Sequence, residues 1–161
     1  MTTSTVSGRA PILCALLCTL LGCASREPAC TFAGRGNEAP SAGCFATSAD
    51  GLLLVQGLNG KVSLPGGSSR PGESAQCTAF RESWEETGLV LQPAELLMIF
   101  DTGFHLYRCE STQASGKTAP PLSLEIRSAF FLPADQFDQF DWRYEYQRAL
   151  LRNMLLSSAP Q

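Results

Sequence analysis

The hydrophobic positions change period along the chain. From residue 43, "GCFATSADGLLLVQG" reads as two apolar-rich strands joined at "ADG", a hairpin signal. "KVSLPGG" is a third short strand that leads into a Gly- and Pro-rich turn. Ala75 to Thr87 contains neither Gly nor Pro, with Ser74 suited to cap its start and Gly88 suited to the left-handed position after its end. That stretch predicts a helix. Beyond it, "ELLMIFDTG" and "FHLYRCE" read as paired strands, "STQASGKTAPPL" as a loop and "SLEIRSAFFLP" as another strand. "ADQFDQFDW" is a polar and aromatic connection. "RYEYQRALLRNMLL" returns to helical spacing, with Tyr146, Leu150 and Met154 on its apolar stripe. The order strands, helix, strands, helix predicts an α/β fold in which helices sandwich a mixed sheet.

The N-terminal 41 residues read differently. Residues 1–22 carry one base, Arg9, followed by an apolar run from Ala10 to Leu21. That run is too short to span a bilayer and has the length of a signal-peptide core. "LLGC", Leu20 to Cys23, resembles the lipobox of bacterial lipoproteins. The resemblance implies a chain that starts at a lipidated Cys23 on the periplasmic face of a membrane. Ala24 after it favours the outer membrane by analogy. An ordinary secretion signal cleaved nearby is the competing reading. Residues 23–41, rich in small and polar types, then form an arm or linker, and residues 42–161 the domain.

The 161 residues suffice for one domain with a real core, and 44% hydrophobic with 17% charged residues is ordinary globular composition. A net charge of −3 offers no basic footprint for nucleic acid. Of seven Cys, Cys14 and Cys18 lie in the leader. If Cys23 is lipidated, Cys30, Cys44, Cys77 and Cys109 remain, an even set that suits an oxidising compartment. Of the three connectivities four Cys allow, Cys30–Cys44 would pin the arm to the first strand and Cys77–Cys109 would tie the helix start to a sheet strand. These two are the expected pairs. Buried free thiols are the alternative.

The predicted helix carries a conflict. Glu82, Glu85 and Glu86 share one face at i, i+3 and i, i+4, where like charges repel by roughly 0.2–0.5 kcal/mol per pair. They also lie in the last two turns, where the helix dipole is negative. A solvated charged face usually mixes signs, yet Arg81 is the only base on the helix. A divalent cation on this face resolves the conflict, because hard cations take carboxylate oxygens and keep positions for water and phosphate.

Gly67, Glu73, Arg81, Glu82, Glu85, Glu86, Gly88 and Leu89 stand at the spacing G-x5-E-x7-R-E-U-x-E-E-x-G-U, where U is a bulky apolar residue. This resembles the Nudix box. Ser83 alone departs, where the family usually has Leu, Ile or Val. The resemblance implies an α/β/α sandwich and a hydrolase of a diphosphate linkage that uses Mg²⁺ or Mn²⁺. Glu82, Glu85 and Glu86 would bind metal with the Gly67 carbonyl, and Glu82 would help activate the attacking water. Arg81 would orient the acids, and Glu73 would pair with Arg81. The family often recruits a further acid outside the box. Glu125 is the first candidate and Glu110 the second, each competing with a plain surface acid. His105, the only His, reads as an ordinary half-buried side chain rather than a base. Phe137, Phe140 and Trp142 read as packing under the last helix rather than as a base-binding wall. The alternative function is a Nudix-like binding lipoprotein without turnover, for which three crowded acids have little use.

Overall fold

A computed structural model describes residues 27–32, 36–111, 118–121 and 125–158. The expected leader and Cys23 lie outside these residues. The elements are β1 (Ser41–Phe45), β2 (Thr47–Ser48), β3 (Gly51–Gly57), β4 (Val62–Ser63), β5 (Gly66–Ser68), α1 (Ala75–Thr87), β6 (Leu91–Ile99), β7 (Phe104–Ser111), β8 (Ile126–Leu132), a 3₁₀ helix (Ala134–Gln139) and α2 (Glu145–Ser158).

One sheet has the order β5-β1-β7-β6. It is mixed: β1 runs parallel to β7, while β5 and β6 are antiparallel to their neighbours. β6 is longer than "ELLMIFDTG" suggests and includes Pro93, which an edge strand tolerates. The other sheet centres on β3, which pairs along its length with β8 and, on the opposite edge, with β2 and then β4. The first sequence strand is divided at Ala46, where the chain leaves one sheet for the other. The carbonyl of Ala46 accepts the Leu53 amide at 2.9 Å, which ties the crossing point to β3.

The period of two in the strands sorts side chains between two cores. Ala42, Cys44, Leu53, Tyr107 and Cys109 face α1 and pack with Ala75 and Ala79. Phe45, Leu52, Leu54 and Leu106 face the other way, onto Phe137, Trp142 and Leu151. The architecture is therefore the expected sandwich, with α1 on one face and α2 on the other. The Phe137 and Trp142 rings meet at a tilt of 47° with centroids 5.1 Å apart, and the Trp142 indole N–H donates to the Phe137 carbonyl at 3.0 Å. They belong to the core, as their sequence context suggests. Ser83 is fully buried, and its Oγ meets no hydrogen-bond partner among the described residues.

The disulfides differ from expectation. The bridges are Cys30–Cys77 (Cα–Cα 5.6 Å) and Cys44–Cys109 (Cα–Cα 5.4 Å). The reason is topological. β1 and β7 lie side by side as parallel strands, with Cys44 opposite Tyr107, so Cys109 projects from the same face two positions along. Cys77, in the first turn of α1, is left to meet the arm. The arm is fixed there by backbone as well: the Asn37 carbonyl accepts the Ala75 amide at 2.9 Å, and Glu38 bridges Ser74.

The second helix begins at Glu145, and its stripe is also shifted. Gln147 and Leu151 are the buried positions, Met154 and Leu155 pack beside them, and Tyr146 is 55% exposed.

Candidate active site

α1 has the caps its sequence implies. Ser74 Oγ accepts the Cys77 amide, and Gly88, at φ 75°, donates its N–H to the Trp84 carbonyl at 2.8 Å. These fixed ends set the rotation of the helix, and with it the direction of the acids. β5 runs along the acidic face. A Cβ on Gly67 would lie 2.5 Å from the Glu82 carboxyl carbon, so a side chain here would push the Glu82 carboxylate from its place.

Arg81 is 4% exposed and spends all five of its N–H donors. Nε and one terminal nitrogen grip both oxygens of Glu73 at 2.8 Å, and that nitrogen also donates to the Ser68 carbonyl at 2.9 Å. The other terminal nitrogen donates to Glu82 at 2.6 Å and to Glu85 at 3.1 Å. One guanidinium thus ties the loop before α1 to two of the crowded acids. Burial opposes ionisation of Glu73, but the hydrogen bonds from Arg81, the Arg70 amide and Thr78 outweigh it and bring its pKa down to about 2. Burial likewise works against charge on Arg81, and its bonds to Glu73 and Glu82 more than restore it.

The remaining acids lean the other way. Burial, together with repulsion from Glu85 and Glu73, raises the pKa of Glu82 despite Arg81. Glu86 is pushed up to about 8, chiefly by burial and then by Glu82 and Glu125, although it accepts the Gly66 amide at 2.8 Å and feels Arg143. Glu85 is doubly engaged, by Arg81 and by the exposed Arg70 at 3.1 Å, and Arg70 also reaches Glu27 of the arm at 3.5 Å.

Among the described residues, no three acidic, His or Cys side chains converge as a ready-made ligand set. Arg81 holds oxygens of Glu82 and Glu85, Arg70 a second oxygen of Glu85, and the Gly66 amide an oxygen of Glu86. The donor chemistry nevertheless suits a hard cation. Carboxylates on one helix face meet a glycine cradle, and a cation beside Glu86 would offset the burial that disfavours its ionised form.

Glu125 lies with Glu86, Lys61 and Arg143 around one cavity of about 390 Å³. The first outside candidate is therefore brought to the acidic face. Glu110 is exposed and sits opposite Gln92 on β6, away from that cavity. His105 packs 6.3 Å from Tyr107 on β7, and neither cavity includes it.

Sequence reasoning missed a second cavity. It measures about 230 Å³ and opens beside Gly66 and Gly67, with Phe100, Phe104, Tyr144 and Tyr146 on its wall. The rings form a continuous series: Phe104 to Phe100 at 5.9 Å, Phe100 to Tyr146 at 6.0 Å and Tyr146 to Tyr144 at 6.0 Å. The available signal was "YEY", Tyr144 to Tyr146, at the start of a helix whose buried stripe begins only at Gln147. Reading Tyr146 into that stripe concealed it.

An arginine-clamped acidic helix thus lies against a glycine strand, between sheet faces that helices cover. The NUDIX domain model matches residues 37–154, and the chain belongs to the Nudix family. It is, by that membership, a diphosphate hydrolase. Solved structures share the fold. An ADP-ribose pyrophosphatase from Streptococcus suis 89-1591 is 23% identical with a TM-score of 0.60, over 78% of this chain and 96% of that one. A UDP-X diphosphatase is 20% identical with a TM-score of 0.61, over 76% and 64%. The MutT protein from Methanosarcina mazei Go1 is 18% identical with a TM-score of 0.57, over 78% and 98%. Comparison with curated protein sequences gave no match.

Proposed function

We propose that this chain is an exported, metal-dependent hydrolase that cleaves the diphosphate linkage of a nucleoside diphosphate derivative or related compound. The carrying observation is the Arg81 clamp, which holds Glu73, Glu82 and Glu85 together against the glycine strand. Mg²⁺ or Mn²⁺ at Glu82, Glu85 and Glu86, with the Gly67 carbonyl, would neutralise the diphosphate and acidify a bound water. The protein's own part is then specific. Arg81 aligns Glu82 and Glu85, Glu73 holds Arg81, and Glu82 takes a proton from the attacking water. Glu125 is placed to serve as the further acid. The aromatic cavity beside Gly66 and Gly67 favours a substrate with a flat ring on one side of the diphosphate.

Two disulfides support an oxidising location. The leader and Cys23 support anchoring at the periplasmic face of a bacterial membrane, with the outer membrane favoured. Nucleotides outside the cytosol, nucleotide sugars and envelope diphosphates are the substrates to be tried first. ADP-ribose and UDP-linked diphosphates head that panel, following the structural neighbours. Release of phosphate-bearing products is measured with Mg²⁺, Mn²⁺ or excess chelator. Turnover that persists in chelator refutes the metal dependence. Absence of turnover across the panel, with ligand binding retained, favours the silent binding protein. Intact mass of protein from membranes decides the anchor: a start other than Cys23 without acyl chains removes it.

A further inference from the structure

Arg143 is the one charged side chain shared by both cavities. Its backbone is fixed: the Arg143 amide donates to the Val62 carbonyl at 2.9 Å, and the Val62 amide donates to the Asp141 carbonyl at 2.8 Å. Its guanidinium lies 5.5 Å over the Tyr144 ring, at the end of the aromatic series. Among the described residues Arg143 and Arg127 make no ion pair, whereas Arg70, Arg81, Arg108, Arg148 and Arg152 each do, and of those two only Arg143 lines these cavities. An arginine without an ion pair, on a rigid base between an aromatic wall and a group of carboxylates, is suited to an anion that enters with an aromatic group attached.

We infer that Arg143 grips the phosphate nearest the aromatic group of the substrate and so fixes which way round the substrate lies. The ring enters the smaller cavity among Phe100, Phe104, Tyr144 and Tyr146. The diphosphate crosses Gly66 and Gly67, and the far side reaches Glu86, Glu125 and Lys61. At about 230 Å³ the aromatic cavity lies below the ~300–1,000 Å³ of pockets that take a whole ligand, so it accommodates one end of the molecule only. This inference rests on the proposed function and adds the orientation and the residue that sets it.

The test uses the full chain and ADP, with adenosine as the uncharged probe, by titration calorimetry in Mg²⁺. Arg143→Ala is expected to weaken ADP about tenfold or more while adenosine changes less than about twofold, since only a phosphate contact is lost. Tyr144→Ala should weaken both probes alike. Arg143→Lys should recover part of the ADP affinity, because it keeps the charge but not the fork. Mg²⁺ affinity without nucleotide should not fall in Arg143→Ala, since the change removes a positive charge near Glu86. ADP binding within about twofold of wild type in Arg143→Ala overturns the inference. So does a loss of Mg²⁺ affinity equal to the loss for ADP, which would make Arg143 a partner of the acids alone. A wild-type enzyme that hydrolyses a diphosphate yet ignores ADP also overturns it and leaves the hydrolase reading standing. ADP binding that depends on Arg143 in a chain without turnover does the reverse.

Discussion

Replacing Glu86 by Gln in metal-free protein tests the electrostatics of the acidic face directly. Glu86 has a pKa of about 8 in the fold against 4.5 as its ordinary value, and burial is the main cause. The folded chain therefore binds more protons than the unfolded chain between those values. A raised folded pKa means stability that is complete below about pH 4.5 and is lost as pH rises towards 8. Linkage between the two values makes Glu86 unfavourable by about 1 kcal/mol at pH 5, about 3 kcal/mol at pH 7 and about 5 kcal/mol beyond pH 9. Gln carries no such penalty, and its carbonyl can still accept the Gly66 amide. The variant should therefore be more stable than wild type in chelator, by a margin that grows by about 2 kcal/mol from pH 5 to pH 7. Glu73 does not interfere, because its lowered pKa moves stability only in the acid range below 4.5. Urea denaturation in chelator across this pH range reads the margin, and Mg²⁺ should then close it by stabilising wild type alone. A margin that stays flat with pH, or a wild type more stable than the variant at pH 8, refutes the reasoning.

Arg81→Ala should lose about 3–5 kcal/mol of stability by urea denaturation, because three carboxylates lose their shared partner in a buried setting; a loss under about 1 kcal/mol would show that the clamp is only a surface pair. Gly67→Ala should reduce kcat at least about tenfold while stability shifts by less than about 1 kcal/mol, since the intruding methyl displaces the flexible end of Glu82 rather than backbone. A loss of stability without loss of turnover would deny that contact a part in the reaction. Peptide mapping without reductant should recover Cys30 linked to Cys77 and Cys44 linked to Cys109. The loops they close, 47 and 65 residues in sequence separation, are each worth about 4 kcal/mol in the chain-entropy model, although they overlap and do not add. Recovery of Cys30 with Cys44 would reject this pairing.

The legible parts were those governed by neighbours in sequence. Ser74, Gly88 and the absence of breakers between them set α1 to the residue, and the spacing of Glu82, Glu85 and Glu86 exposed a conflict that a purely structural helix would not keep. The unbroken apolar run in β3, buried from Gly51 to Val55, similarly belongs to a sheet covered on both faces. What escaped depended on partners far along the chain. Cys44 meets Cys109 because β1 and β7 are parallel neighbours, and no local pattern states that adjacency. Tyr146 fits a helical stripe by spacing, yet the docking of α2 through Gln147 and Leu151 turns it outwards, onto Phe100. Arg143 was one base among twelve until the fold set it between two cavities.

The two bridges are interleaved along the chain, Cys30 to Cys77 across Cys44 to Cys109. One cut anywhere between Cys30 and Cys109 leaves the fragments covalently joined, since at least one bridge spans every bond in that interval. Past Cys109 this protection ends. The last third of the chain, which carries Glu125, Arg143, Tyr144 and Tyr146, is retained by the β3–β8 ladder and the packing of α2 without a covalent tie among the described residues. A protease that cuts between β7 and β8 would therefore meet a protein that can shed Tyr144 and Tyr146, half of its aromatic wall, as a separate peptide. The same cut made before β7 would leave nothing to shed.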